Sequence, residues 1–201
     1  MKPVQKIHGL AVGLEIGNVD TDQIVPARYL YRNRSDGFAD TLFRDMRFDP
    51  EGREHESFPL NGLEAERAAI LVTLDNFGCG SSREHAVWAL IDAGYQAVIA
   101  VSFGDIFRNN AHENGLLPVV LEEHEVMHLL QHVKGGPAKL AVDLEAQQVT
   151  LPDGICFSFD IDSAARENLL LGRSKIDATH SLRSTIDEFE EAYLGRHPWS
   201  E

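Results

Sequence analysis

Ser81, Ser82 and Arg83 put two hydroxyls beside a guanidinium, inside the run Asn76-Phe77-Gly78-Cys79-Gly80-Ser81-Ser82-Arg83-Glu84-His85. A guanidinium grips a carboxylate through two parallel hydrogen bonds, and a hydroxyl next to the gripped group is placed to act on it. The spacing predicts a pocket for a small carboxylate. It also fits a plainer reading, because Ser81 and Glu84 stand at capping-box spacing and serine before a helix commonly caps it. Spacing alone favours the cap, although two serines are present and only one need serve. Other motifs fail. Arg83 stands where a dinucleotide fingerprint needs its third glycine, no lysine follows as in a phosphate loop, and no serine has the glycine flanks of a nucleophile elbow.

Two elements must hold this run. Ala69 to Leu74 reads as a buried strand, and Ala86 to Ile91 as the apolar face of a helix over residues 84–93. A strand, a glycine-bearing turn and a helix start aim backbone N–H groups and the helix dipole at an anion. Ala97 to Val101 and Leu116 to Leu121 read as further buried strands, with a helix around Ile106 and Phe107 between them. That alternation predicts an α/β layered core. Upstream, Lys6 to Ile16 has the apolar content of one or two strands, broken by Gly9 and Gly13. Asp20-Thr21-Asp22 marks a turn, and Pro26 suits the first turn of a short helix. Residues 31–62 are mostly polar, with apolar spots at Phe38, Leu42, Phe43 and Phe48, and are expected to form a mobile substrate loop. Strands around Leu140–Leu144, Gln148–Leu151 and Ile155–Ile161 are expected as a meander with a turn at Pro152-Asp153-Gly154, then helices near 163–171 and 180–194. No repeat or boundary interrupts the chain, so residues 1–201 are expected as one domain.

At 201 residues the chain can bury a substantial core. Its net charge of −14 argues against nucleic acid and anionic membrane as partners. A carboxylate site in so acidic a protein needs local positive charge, which Arg28, Arg32 and Arg34 concentrate. No segment approaches the roughly 20 apolar residues of a transmembrane helix, and Met1-Lys2-Pro3-Val4 does not open a signal peptide. Cys79 and Cys156 form no disulfide framework and fit a reducing cytoplasm. His124, His128 and His132 would share one helix face, but the outer two would lie about 12 Å apart, too far for one metal. A solvated stripe is expected there, and no metal site.

The block Asn76 to Ala86 resembles the signature of the small, swivelling domain of the aconitase superfamily. Further matching blocks are Asn18-Val19-Asp20-Thr21-Asp22-Gln23-Ile24-Val25-Pro26 with Arg28-Tyr29-Leu30, and Ala97 to Phe107 with Asn109-Asn110 and Asn114-Gly115-Leu116-Leu117-Pro118-Val119. Val142 to Gln147 adds a weaker one. In order and in total length these blocks resemble the small-subunit family of bacterial 3-isopropylmalate dehydratases over nearly the whole chain. The resemblance implies a swivelling β/β/α domain. It also implies a hydro-lyase of leucine biosynthesis that isomerises 2-isopropylmalate and 3-isopropylmalate through an unsaturated di-acid. Such chemistry uses a 4Fe–4S cluster held by cysteine thiolates. Two cysteines at 79 and 156 cannot hold one, so the resemblance implies no cofactor on this chain and a large-subunit partner that carries the cluster.

By the same resemblance Ser81 is the catalytic base, taking a proton from the carbon beside the hydroxyl-bearing one. Ser82 and Arg83 orient a substrate carboxylate, with Asp22 and Thr21 in support. An ion pair of Arg83 with Glu84 or Asp75 is the plainer alternative. The loop after Tyr29-Leu30 helps relatives choose among malates, which makes Arg32 and Arg34 substrate-binding candidates. Ser35-Asp36 stand where many relatives have Arg-Thr, Val87 where proline is usual and Gly104 where alanine is. These departures keep open the same chemistry on a methyl-substituted malate or homoaconitate. Two rivals stand apart: a non-catalytic carboxylate-binding module in which Ser81 only caps, and a hydrolase using Cys79. The second needs an activating base, and helix geometry projects His85 away from the thiol.

Overall fold

All six residues of Ala68–Thr73 are buried. A strand with no exposed face must be covered on both sides, as in a parallel sheet. The computed structural model, which describes residues 1–62, 67–197 and 199, shows that arrangement. Its strands are β1 (Lys6–Leu14), β2 (Ala68–Thr73), β3 (Ala97–Ala100), β4 (Leu117–Val120), β5 (Ala138–Asp143), β6 (Gln148–Thr150) and β7 (Cys156–Ser158). They form one seven-stranded sheet in the order β4-β3-β2-β1-β5-β6-β7. The half from β4 to β1 is parallel, and β5, β6 and β7 extend it as an antiparallel meander. The helices are α1 (Thr21–Ile24), α2 (Arg44–Arg47), α3 (His85–Asp92), α4 (Asp105–Asn114), α5 (Glu123–Val133), α6 (Ser163–Leu171), α7 (Lys175–His180) and α8 (Arg183–Arg196).

Side chains alternate across the sheet. Leu71, Val98 and Ala100 face one core, shared with α3 and with Phe107 and Ala111 of α4. Ile70, Val72, Ala97 and Ile99 face the other, shared with Val126, Leu129, Leu130 and Val133 of α5 and Leu169 of α6. Among the described residues, no helix is long and apolar enough to cross a membrane.

Four sequence expectations change. β1 is one unbroken strand, and its glycines mark close approach: a Cβ on Gly9 would lie 2.8 Å from Ala69 Cβ, and one on Gly13 2.8 Å from Val133 Cγ2. Residues 31–62 carry α2 and short 3₁₀ turns at Arg34–Asp36 and Ala39–Thr41, and Phe38, Leu42, Phe43 and Leu60 enter the core. Emptying a buried phenylalanine site costs about 3–5 kcal/mol, so Phe38 and Phe43 are firm anchors within an otherwise polar stretch. The tail has three helices, because Ser174 and Asp177 form a capping box that starts α7. Of the histidine stripe, His124 and His128 are exposed, but His132 is half-buried, and its Nε2 has no hydrogen-bond partner among the described residues.

Candidate active site

The connections leaving the carboxyl ends of β1, β2 and β3 meet, the position at which open α/β sheets bind ligands. Strand-like pairing continues past the strand ends, with bridges from Asp20 to Cys79 and from Phe77 to Phe103. Gly78 donates its N–H to the Val19 carbonyl at 2.7 Å, Thr21 to Cys79 at 3.0 Å and Phe77 to Ser102 at 3.0 Å. Gly78 has φ 72°, and a Cβ there would run into the Phe107 ring. Glycine meets both demands. Gly104 is equally confined, since a Cβ would lie 2.6 Å from the Gly78 carbonyl oxygen.

Ser81 does not cap α3. The helix starts at His85, and Glu84 occupies the N-cap position without a side-chain cap bond. Ser81 Oγ lies 3.1 Å from Thr21 Oγ1, and Thr21 Oγ1 donates to the Ser81 carbonyl oxygen at 3.2 Å. A threonine hydroxyl has one proton. With that proton on the carbonyl, Ser81 Oγ is the donor between the two hydroxyls, and its lone pairs are left for another group. Thr21 is buried, whereas Ser81 and Ser82 are exposed. The backbone N–H groups from Ser81 through His85 have no acceptor among the described residues. Five successive open donors ahead of a helix suit an anion.

Arg83 donates through Nη1 to Asp22, in place of Glu84 or Asp75. The pair is partly exposed, at 20% for Arg83 and 54% for Asp22. Pairs of this kind are worth about 0.2–1 kcal/mol, so an incoming carboxylate can take over the guanidinium. A capping box between Asp20 and Gln23 fixes α1 and with it both supports, Thr21 on Ser81 and Asp22 on Arg83. Glu84 points elsewhere, accepting from Asn114 Nδ2 at 2.7 Å, while Asn114 Oδ1 accepts from Trp88 Nε1 at 3.1 Å.

The expected concentration of positive charge is answered residue by residue: Arg28 pairs with Asp45, Arg32 with Asp40 and Arg34 with Asp92. The guanidiniums of Arg32 and Arg28 hold the Asp40 and Asp45 carboxyls below the usual carboxylate range. Thus Ser81, Thr21, Arg83 and Asp22 form one cluster, whereas Arg32 and Arg34 are tied within their own loop and to α3. Arg32 Cζ lies 5.9 Å from the Phe38 ring centre, and Phe38 packs edge-on against His85 at 5.4 Å. Sequence reasoning passed over His85, Trp88 and Asp92 as the loop's seat. Their i, i+3, i+7 spacing on α3 was the available signal.

Cys79 is half-buried at the turn, and the His85 ring is packed between Phe38 and Trp88, at 5.4 and 4.7 Å. Cys156 lies on β7, at the far edge of the sheet. Among the described residues, no three His, Cys, Asp or Glu side chains gather as a metal site. The residues present do not fit an iron–sulfur cluster.

Residues 1–124 match the family described as aconitase C-terminal domain, and residues 128–163 match one described as LeuD_N. Fold and site together define a swivelling chain of the aconitase type, as the β/β/α expectation required. A 3-isopropylmalate dehydratase small subunit of Caulobacter vibrioides is 46% identical over 201 residues, covering 100% of both chains. That of Phenylobacterium zucineum is 45% identical over 100% of this chain and 99% of its own. The crystal structure of a 3-isopropylmalate dehydratase (leuD) from Methanocaldococcus jannaschii superposes with a TM-score of 0.66 at 27% identity, covering 92% of this chain and 99% of that one. The chain belongs to the family of 3-isopropylmalate dehydratase small subunits.

Proposed function

We propose that this chain is the small subunit of a cytoplasmic, two-chain hydro-lyase that interconverts 2-isopropylmalate and 3-isopropylmalate in leucine biosynthesis. The observation that carries the reading is the joint support of Ser81 and Arg83 by Thr21 and Asp22, in front of a row of open N–H groups. Ser81 Oγ takes the proton from the carbon next to the hydroxyl-bearing one. The released C–H electron pair becomes the second bond of the alkene as the hydroxyl departs. Arg83, with Ser82, holds a carboxylate of the unsaturated di-acid. Return of the proton to the carbon that bore the hydroxyl, and of water to its neighbour, completes the isomerisation. A serine hydroxyl is a weak base, and its alkoxide is stabilised by the guanidinium and the N–H row. A 4Fe–4S cluster on the large subunit supplies the Lewis acid for the hydroxyl.

Arg32 and Arg34 act on substrate choice by shaping residues 31–36, which close over the substrate. Because Asp40 and Asp92 neutralise them, the loop suits an apolar isopropyl group better than the extra carboxylate of homoaconitate. The test is reconstitution. The purified chain should be colourless and inactive, and should interconvert the two isopropylmalates once mixed with a cluster-loaded large subunit. Brown colour in the chain alone, or turnover without a partner, would contradict the reading.

A further inference from the structure

Asp92, the last residue of α3, gathers three donors from one loop. Arg34 reaches it through both terminal nitrogens, at 2.7 and 2.8 Å, and the Phe38 backbone N–H at 2.8 Å. The carboxylate is 19% exposed, and the Arg34 guanidinium lies 5.3 Å from the Trp88 ring centre. At the other end of the same helix face, His85 packs edge-on against Phe38, with ring centres 5.4 Å apart. Between these fasteners the loop is closed on itself, because Arg32 pairs with Asp40 and donates to the Gly37 carbonyl at 3.1 Å. The large apolar side chain of the loop that stands out is Tyr31, 96% exposed. α3 begins two residues after Arg83, so the helix that carries the loop also continues the run that carries Ser81 and Arg83.

We propose that Asp92 is a positioning residue for substrate choice: it locks residues 31–38 to α3 and thereby sets the distance from the loop's tip to Ser81 and Arg83. The inference rests on the proposed hydro-lyase reading and goes beyond it, since Asp92 touches no substrate. A lone surface pair would have little effect on such a distance. A covered carboxylate that holds a side-chain fork and a backbone N–H together has more, because one substitution releases the loop at two points. Small displacements of a recognition element translate into large losses of productive binding.

The test uses the full chain assembled with its cluster-loaded large subunit, with 2-isopropylmalate and 2-methylmalate as substrates. Asp92→Asn keeps an acceptor for the Phe38 N–H and removes the charge that holds Arg34. It should raise KM for 2-isopropylmalate about tenfold with kcat nearly unchanged. The preference in kcat/KM for the isopropyl over the methyl substrate should fall at least about fivefold. Arg34→Gln should give the same shift, and the double variant no larger one, because both residues act through one contact. Exchange of the Phe38 amide should quicken in Asp92→Ala and stay slow in Asp92→Asn. Unchanged constants would overturn the proposal. So would an equal loss on both substrates that tracks a lowered Tm, the mark of a merely structural residue. A wild-type complex inactive on both substrates would instead refute the hydro-lyase reading, and this inference would fall with it.

Discussion

In the proposed reading, Arg83 is a binding group held ready by an acid that a substrate can displace. The Asp22 pair keeps the guanidinium in place through Nη1, the one terminal nitrogen engaged among the described residues. Arg83→Lys keeps the charge and loses the fork, so KM for isopropylmalate should rise about tenfold with a smaller change in kcat. Steady-state kinetics on the reconstituted enzyme checks this, and an unchanged KM would remove Arg83 from carboxylate binding. At this scale the sequence displayed the residue types and concealed their pairing. Ser81, Ser82 and Arg83 stood out as chemistry, and Asp20-Thr21-Asp22 as a turn. That Thr21 meets Ser81 follows from the bridge between Asp20 and Cys79, a contact between distant loops that spacing along one chain does not contain.

Among the elements, α3 has two duties, to end the Ser81–Arg83 run and to seat residues 31–38. His85 joins the two. Burial pushes its imidazole below the usual value of 6.5, with Arg83 adding to the shift and Glu84 opposing it. Its folded pKa is therefore lower than its unfolded one, and the unfolded chain binds more protons between the two. Stability from this residue is complete above about pH 6.5 and is lost as pH falls from there toward the folded value. The Tm of the isolated chain should drop as pH falls below about 6.5, and His85→Gln should flatten that drop. Equal slopes in wild type and variant would exclude His85 as the source. The strand–helix alternation behind α3 was legible because buried parallel strands read as continuous apolar runs. The seating of the loop was less so, since Phe38 and Phe43 looked like stray apolar residues until α3 and the sheet were there to receive them.

The whole molecule is one half of a catalytic arrangement. In the proposed reading it offers a base and a carboxylate grip on a platform laced from three loops, and its two thiols lie at the turn and at the opposite sheet edge. The cysteine count alone made a second chain necessary for aconitase-type chemistry. The joining of the β5–β7 meander to the parallel sheet through β1 was hidden, because sheet pairing between residues 6 and 143 is non-local. The proposed division of labour puts the proton-transfer step on this chain. It is tested most directly by kcat of the assembled enzyme carrying Ser81→Ala, with Tm and subunit affinity recorded on the same sample. Ser81 is exposed and caps no helix, so Tm and assembly should hold while kcat falls by about 10²–10⁴, the range for a lost general base. Near-normal turnover with a lowered Tm would make Ser81 a structural residue and contradict the assignment of the base to this chain.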